Sequence, residues 1–237
     1  MNGFILRLVI LVTCGVLLSS NLQAQEYEYD LVIPLNPENF GETRDKLEGP
    51  TGKILNAVIE VSQTDLSYRI ANSSHGYNAF YKGKYACVAP DSTVYYDKAS
   101  PYINSLPIRD THWVAVYRKD GMKIKDRMDL VGKTVGLIYE ASALRAVVPK
   151  DGVNYDYFSN LHVNLKKLDH GRLDAVVVPE LGLAKILSDH SEFKNLTFDT
   201  QFPLAVIPDR VMCHDTRRGR QVIEIVNEAL RDLNKDN

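Results

Sequence analysis

Three short polar segments of the sequence contain residue types that hold small polar molecules in proteins. Each follows an apolar run of the kind that forms a buried strand. The residues are Asp91, Ser92 and Thr93, then Glu140, Ser142 and Ala143, and last Pro179 and Glu180. Ligands of open α/β sheets collect at the carboxyl ends of strands, where these segments are expected to lie. Their carboxylates, hydroxyls and backbone N–H groups predict the binding of a polar solute.

The second segment is predicted to begin a helix that carries Leu144, Val147 and Val148 and ends at Pro149. The first N–H groups of a helix have no partner within it, and the helix dipole adds to their attraction for an anion. Ser142 is equally suited to be a simple helix N-cap, which has the same geometry. The sequence leaves both roles open.

Three tyrosines, Tyr95, Tyr96 and Tyr102, follow the first polar segment closely. Tyrosine rings stack on flat ligands or hold an amine by cation–π contacts. Packing within the loop is the simpler interpretation, and it is the one we favour.

No motif in the sequence predicts catalysis or a metal centre. The six histidines are scattered, and none forms an HxxxH pair. No GxSxG, P-loop or GxGxxG segment occurs, and no cysteine–histidine spacing suits zinc. We therefore expect a protein that is not an enzyme and has no cofactor or metal.

The elements that would position these segments alternate between strands and helices. Strands are predicted at 27–33, 66–71, 85–89, 113–117, 134–139, 173–178 and 202–212. Helices are predicted at 51–61, 77–82, 140–148, 160–168, 180–187 and 218–233, and residues 91–107 are predicted to be irregular. Such alternation favours mainly parallel sheets flanked by helices, an α/β fold.

A weak internal repeat suggests two similar halves. Residues 83–88 and 171–176 both have a glycine, a basic residue and then a buried strand, each after a predicted helix. Their even placement along the chain favours two lobes.

The first residues, 1–24, resemble a secretory signal peptide. Arg7 interrupts an apolar run that extends to Leu18, and a polar stretch then leads to Ala24. A membrane anchor is the alternative, but the run is shorter than the roughly 20 residues that span a bilayer. We expect cleavage and a periplasmic or secreted protein.

Charge and cysteine content narrow the function further. The formal net charge of −2 gives no field that would gather nucleic acid. Cys87 and Cys213 remain after removal of the signal peptide. Outside the cytoplasm they are able to form a disulfide, although two buried thiols fit the sequence equally well.

Three further segments carry a resemblance to a known family. They are 129–136 (DLVGKTVG), 168–176 (LDHGRLDAV) and 227–230 (NEAL). Together they resemble the extracytoplasmic (periplasmic) solute-binding proteins of family 3, the substrate-binding type of ABC transporters. The resemblance extends over nearly the whole mature chain and is clearest from about residue 107 onward.

The resemblance implies a two-lobed type II fold hinged by two crossing segments. Lobe I would comprise 25–107 with 203–237, and lobe II would comprise 108–202. A small polar solute would bind between the lobes, and closure would bury it. The implied partners are the solute and an inner-membrane permease or sensor, with the protein itself a monomer.

The family's site residues transfer only in part. The resemblance implies a carboxylate-binding turn at Ser142 and Ala143, where Glu140 would oppose an anion unless it turns away. The family's carboxylate-binding arginine is missing, because no arginine lies between Arg69 and Arg109. We interpret Arg109 as a surface charge near the hinge.

The family's ammonium-binding aspartate corresponds to Pro179, with Glu180 one residue further on. Glu180 is either a displaced substitute for that aspartate or a first-turn helix acid favoured by the dipole alone. Two other functions stay open: a sensory or accessory binding module, and an enzyme of the cyclic-acid dehydratase type on the same scaffold.

Overall fold

A computed structural model describes residues 27–35, 47, 49–62, 66–96, 100–138, 144–158 and 160–235. Its strands are β1 (Tyr29–Leu35), β2 (Tyr68–Asn72), β3 (Tyr85–Asp91), β4 (Tyr102–Asn104), β5 (Arg109–Arg118), β6 (Thr134–Leu137), β7 (Asn154–Tyr157), β8 (Ala175–Pro179), β9 (Leu196–Thr197) and β10 (Ala205–His214). Its helices are α1 (Gly49–Val61), α2 (Ser73–Tyr81), α3 (Leu161–Asp169), α4 (Leu183–Asp189) and α5 (Arg217–Lys235). Short 3₁₀ helices occupy Thr93–Tyr95, Arg127–Leu130 and Ser191–Phe193.

The strands form one continuous sheet in the order β2-β1-β3-β10-β5-β8-β6-β7. Within each half the neighbouring strands run parallel, as β1 does with β2 and β3, and β6 with β7 and β8. The two middle strands, β5 and β10, are antiparallel to each other and to their outer neighbours β8 and β3.

Each middle strand passes from one half of the molecule to the other. Ala205 to Asp209 of β10 pair with β5, whereas Met212 and Cys213 pair with β3. The buried apolar residues accordingly form two separate groups. One group draws on residues 31–108 and 211–230, and the other on residues 113–207. The molecule therefore has two cores joined by two crossing strands.

Most of the predicted elements are present, with differences at their ends. Pro34, predicted to end β1, lies inside it. β1 pairs with β3 only as far as Val32 but with β2 as far as Leu35. Beyond Val32 one edge of β1 is unpaired, and a proline that lacks an N–H group is tolerated there. The segment 91–107, predicted to be irregular, contains a 3₁₀ turn and β4.

The structure resolves the two alternatives for the cysteines in favour of a disulfide. Cys87 and Cys213 are register partners in the antiparallel pair of β3 and β10, with their Cα atoms 4.0 Å apart. Both residues are fully buried. The bond therefore fastens the crossing strand β10 to the central strand of the first core.

A buried ion pair fastens the last helix to the same core. The guanidinium of Arg218 donates to both carboxylate oxygens of Asp30, over 2.5 and 2.7 Å. Ser67 adds a backbone N–H and a hydroxyl donor, at 2.9 and 2.8 Å. Burial alone would raise the pKa of Asp30, but the hydrogen bonds from Arg218 and Ser67 outweigh it and lower the pKa below its ordinary value.

We expect Arg218→Ala to lower the free energy of unfolding by about 1–3 kcal/mol near neutral pH, because Asp30 loses its charged donor. A carboxyl with a lowered folded-state pKa stabilises the fold above its unfolded pKa, and this contribution disappears as pH falls through the folded pKa. The difference between variant and wild type should therefore shrink near pH 3. Urea unfolding of both proteins near pH 7 and near pH 3 measures this difference in the free energy of unfolding.

Arg220→Ala is the matched control, because Arg220 lies on the same helix in a largely exposed pair with Asp215. Such pairs contribute little. Equal losses in the two variants, or a loss for Arg218→Ala that does not change with pH, would contradict the role given to Asp30.

Candidate functional site

The first predicted segment lies at the end of β3, and its side chains are engaged with neighbouring residues. The carboxylate of Asp91 accepts the backbone N–H of Ser92 at 2.7 Å and the hydroxyl of Tyr96 at 2.8 Å. The hydroxyl of Ser92 accepts the N–H of Val94 and so caps the 3₁₀ turn. Thr93 exchanges two hydrogen bonds with the side chain of Asn104. These bonds fix the loop at the carboxyl end of β3.

Asp91 is a buried acid beside a row of tyrosine hydroxyls. Burial raises the pKa of Asp91 to about 7, and the negative charge of Asp209 adds to the rise. The hydroxyls of Tyr96 and Tyr81 are 2.6 Å apart. Burial likewise raises the pKa of both tyrosines, that of Tyr81 to about 12. Because Tyr81 is exposed, the row connects the buried acid to the surface.

The tyrosines pack mainly on other aromatic rings. This agrees with the packing role favoured from the sequence. The rings of Tyr96 and Tyr102 meet edge to face at 5.2 Å, and Tyr102 also lies against Phe80. Tyr95 differs, because its hydroxyl accepts the indole N–H of Trp113 at 3.0 Å. That bond joins the loop after β3 to the crossing strand β5.

The third predicted segment borders a cavity of about 390 Å³. Glu180 contributes to its wall, and Pro179 precedes it at the end of β8 as the register partner of Trp113. The carboxylate of Glu180 lies 3.1 Å from Nδ1 of His112, and its backbone N–H donates to the carbonyl of His112 at 2.8 Å. The other wall residues are Arg109, Asp110, Leu181, Gly182, Ala184, Phe198 and Thr200.

Arg109 is not the surface charge that the sequence suggested. Its side chain is only 18% exposed, lies 3.8 Å from the carboxylate of Asp209 and donates to the hydroxyl of Thr51 at 3.2 Å. Thr111 donates to the same carboxylate at 2.6 Å. Arg109 thus links the two crossing strands to the amino end of α1, and it also borders the cavity.

Glu140, Ser142 and Ala143 lie outside the described residues, so their predicted anion-binding turn stays a prediction. The neighbouring residues 144–148 are described and form a turn, with the N–H of Val148 bonded to the carbonyl of Leu144. The predicted helix therefore does not extend through residue 148. Leu144, Val147 and Val148 are buried, as its apolar spacing implied.

Sequence reasoning missed the partners that make this region polar. His112 stands next to Glu180 only because β5 and β8 pair, and Asp209 reaches Arg109 only because β10 pairs with β5. His112 directly precedes the predicted strand 113–117, and Asp209 lies within the predicted extended segment 202–212, where no local motif marks either residue.

Comparison with known proteins identifies the fold. No protein-family model and no curated protein sequence matches the chain. Solved structures do match. The arginine-bound form of truncated ArgBP from T. maritima is 19% identical with a TM-score of 0.64, covering 86% of this chain and 96% of that one.

The substrate-binding protein of an amino acid ABC transporter is 18% identical with a TM-score of 0.64, over 88% of this chain and 93% of that one. The GluR0 ligand-binding core in complex with L-glutamate is 14% identical with a TM-score of 0.67, over 86% and 91%. The chain thus has the two-lobed α/β fold of the solute-binding proteins, hinged by two crossing strands, as the sequence resemblance predicted. In the described part of the chain, no helix combines the length and apolarity needed to cross a bilayer.

Proposed function

We propose that this protein is an extracytoplasmic solute-binding protein that captures a small polar solute between its two lobes for an ABC transporter. The observation that carries the proposal is the pair of separate cores. In the described sheet, β5 and β10 are the strands that cross from one core to the other. Such a link needs only a few residues to absorb the rotation of one lobe against the other. A solute stabilises the closed form through contacts that exist only there.

The proposed lobes are residues 25–107 with 203–237 and residues 108–202. The two groups of buried apolar residues, 31–108 with 211–230 and 113–207, support this division except in the crossing segments, where Ile108 packs in the first core and Ile207 in the second. The cavity beside Glu180 lies near the proposed hinge, because its wall combines the start of β5, the residues after β8 and the segment that leads to β10. All of its wall residues belong to the proposed second lobe, so burial of a solute there requires the first lobe to close over it. The turn at Ser142 and Ala143 belongs to the proposed site as well.

The wall chemistry supports a solute with a positively charged group. Asp110 and Glu180 are acidic residues of the wall, and Glu180 has the imidazole of His112 as a neighbour, whereas the arginine of the wall, Arg109, is paired with Asp209. Two of the similar structures contain an amino acid, arginine in one and L-glutamate in the other, and the ammonium group of such a solute would fit beside Glu180. Charge-assisted hydrogen bonds of this kind are short and strong.

Export to the periplasm with cleavage of residues 1–24 is part of the proposal. The disulfide supports it, because such bonds persist in oxidising compartments and are rare in the cytosol. An inner-membrane permease is the proposed partner, since one of the similar structures is the substrate-binding protein of an amino acid ABC transporter. The protein is proposed to act as a monomer. The similar structures are binding proteins, which favours binding over catalysis for this protein as well.

A thermal-shift screen of amino acids, amines, organic acids and sugars tests the function. A ligand at 100 times its Kd should stabilise the protein by about 2.7 kcal/mol. We expect Ala184→Trp to abolish the shift, because Ala184 lines the cavity and an indole would fill part of it. Product formation during incubation would instead favour the enzyme alternative.

Lys185→Trp is the matched control, since Lys185 is the next residue of α4, is exposed and does not line the cavity. It should keep the full shift. Glu180→Gln should weaken an amine or amino acid at least about tenfold and leave a neutral sugar unaffected. Normal binding by Ala184→Trp would show that the solute binds elsewhere.

A further inference from the structure

Two histidines and a glutamate meet on the surface of the second half of the molecule. The groups are His162, His190 and Glu192, and their potential ligand atoms all lie within 4.8 Å of one another. The carboxylate of Glu192 lies 3.5 Å from Nε2 of His162 and 3.6 Å from Nδ1 of His190. None of these residues lines the cavity at Glu180.

The two histidine rings pack against a buried phenylalanine. Phe193, which follows Glu192, is fully buried among residues of β5, β8 and α3. Its ring lies 4.8 Å from the ring of His162 and 5.8 Å from that of His190. Its backbone N–H donates to the carbonyl of His190 at 2.9 Å, which closes the 3₁₀ turn that carries Glu192. The two imidazoles therefore stand beside one fixed aromatic ring.

The three side chains come from two helices and a 3₁₀ turn. His162 occupies the first turn of α3, whose N-cap is Asn160. His190 ends α4, and Glu192 belongs to the 3₁₀ turn that follows. The side chains of all three residues are at least 36% exposed, so a cation from solvent is able to reach them.

We propose that His162, His190 and Glu192 form a binding site for a divalent transition-metal ion of the zinc type. Imidazole nitrogens and a carboxylate oxygen are the ligand set of open zinc sites, which keep a further position for water or another molecule. Tetrahedral ligands about 2.0–2.1 Å from zinc stand roughly 3.3 Å from each other. The two distances to Glu192, 3.5 and 3.6 Å, are close to that value. The nitrogens of the two histidines lie within 4.8 Å of each other, and rotation of the half-exposed imidazoles would have to bring them to that spacing.

A metal ion at this site would act on α4, the helix that runs from the cavity wall to His190. His190 stands at the carboxyl end of α4, and Gly182, at its amino end, borders the cavity. Seven helical residues span about 10 Å. A metal ion would tie the end of α4 to the start of α3 and hold the helix that forms part of the cavity wall. Harder cations such as Mg²⁺ prefer oxygen ligands and are not expected to bind.

Titration calorimetry of the untagged protein with zinc chloride tests the proposal. We expect one saturable site, and at least a tenfold weaker affinity in His162→Ala and His190→Ala. Glu192→Gln should weaken binding by a smaller factor. Co²⁺ in place of Zn²⁺ gives a second readout, because the visible absorption of a coordinated ion should be lost in the same variants.

His170→Ala is the matched control, since His170 directly follows α3 on the same half of the molecule and is exposed. His112→Ala controls for the pair at the cavity. Both should bind zinc as the wild type does. Three results would overturn the proposal: no saturable binding by the wild type, unchanged affinity in His162→Ala and His190→Ala, or loss of binding in His112→Ala alone.

Discussion

Replacing both disulfide cysteines, as Cys87→Ala with Cys213→Ala, should lower the free energy of unfolding by about 2–5 kcal/mol. The two residues are 126 positions apart in the sequence. A crosslink over so long a loop removes much freedom from the unfolded chain, about 4.7 kcal/mol for a loop of about 100 residues. Alanine is the appropriate replacement, because both side chains are fully buried and a serine would add a buried hydroxyl.

The position of the bond makes this loss relevant to the hinge. It closes a loop that contains β4 to β9, and it fastens β10 where that strand enters the first core. Without it, β10 is held to β3 and β4 by backbone pairing, by apolar contacts and by the hydrogen bonds of Arg210 and Val211 to Ser105, which follows β4. In the double variant, we therefore expect the first core to unfold at a lower urea concentration than the second core.

Urea unfolding of the wild type, with and without dithiothreitol, and of the double variant measures the effect. Reduced wild type and the double variant should have similar midpoints, both below that of the oxidised protein. Dithiothreitol should not change the midpoint of the double variant, which is the internal control. Identical midpoints for oxidised and reduced wild type would mean that the bond does not constrain the unfolded chain.

Local patterns were sufficient to predict most of the fold. β3 is buried at all seven positions, and its apolar run already read as a core strand. The long helix α5, predicted at 218–233, buries Val222, Val226, Ala229 and Leu230, whose spacing is that of one helix face. The missed strands β4, β7 and β9 have weak patterns. β4 has three residues, β9 has two, and β7 is a half-exposed edge strand.

The contacts between distant parts of the chain were not predictable in the same way. The sequence identified Glu180 from its place after a strand, but its neighbour His112 depends on the pairing of β5 with β8. Likewise, His162 and His190 are 28 positions apart and share no helix, so no spacing rule joins them. The register of a sheet and the docking of helices decide such contacts.

Asp91→Asn should raise the free energy of unfolding near pH 8 by on the order of 2–4 kcal/mol and change it little near pH 4. Burial raises the pKa of Asp91 from 3.8 to about 7, and Asp209 adds to the rise, against the hydrogen bonds from Tyr96 and Ser92. Between those two values the folded protein holds a proton that the unfolded chain has already lost. Stability from this residue therefore falls as pH rises through that window.

The amide has the same shape and no charge to bury. Its oxygen is able to accept the N–H of Ser92, and its NH₂ group is able to donate to the hydroxyl of Tyr96 in place of the bond that the carboxylate accepts. The other groups around the site that titrate or carry charge include Tyr96, Tyr81, Tyr102, Asp209, Arg109 and Arg210, the register partner of Asp91. The variant leaves them in place, so the difference between its pH profile and that of the wild type isolates Asp91.

Urea unfolding at about pH 4, 6 and 8 supplies the two profiles. Asp120→Asn is the control, because Asp120 is 87% exposed and its replacement should not alter the dependence on pH. We expect the free energy of unfolding of Asp91→Asn to exceed that of the wild type by an amount that grows from pH 4 to pH 8. This result would support a protonated Asp91 in the folded protein at mildly acidic pH. Parallel profiles would mean that Asp91 is ionised when folded. The row of tyrosine hydroxyls would then stabilise a buried carboxylate rather than shield a neutral acid.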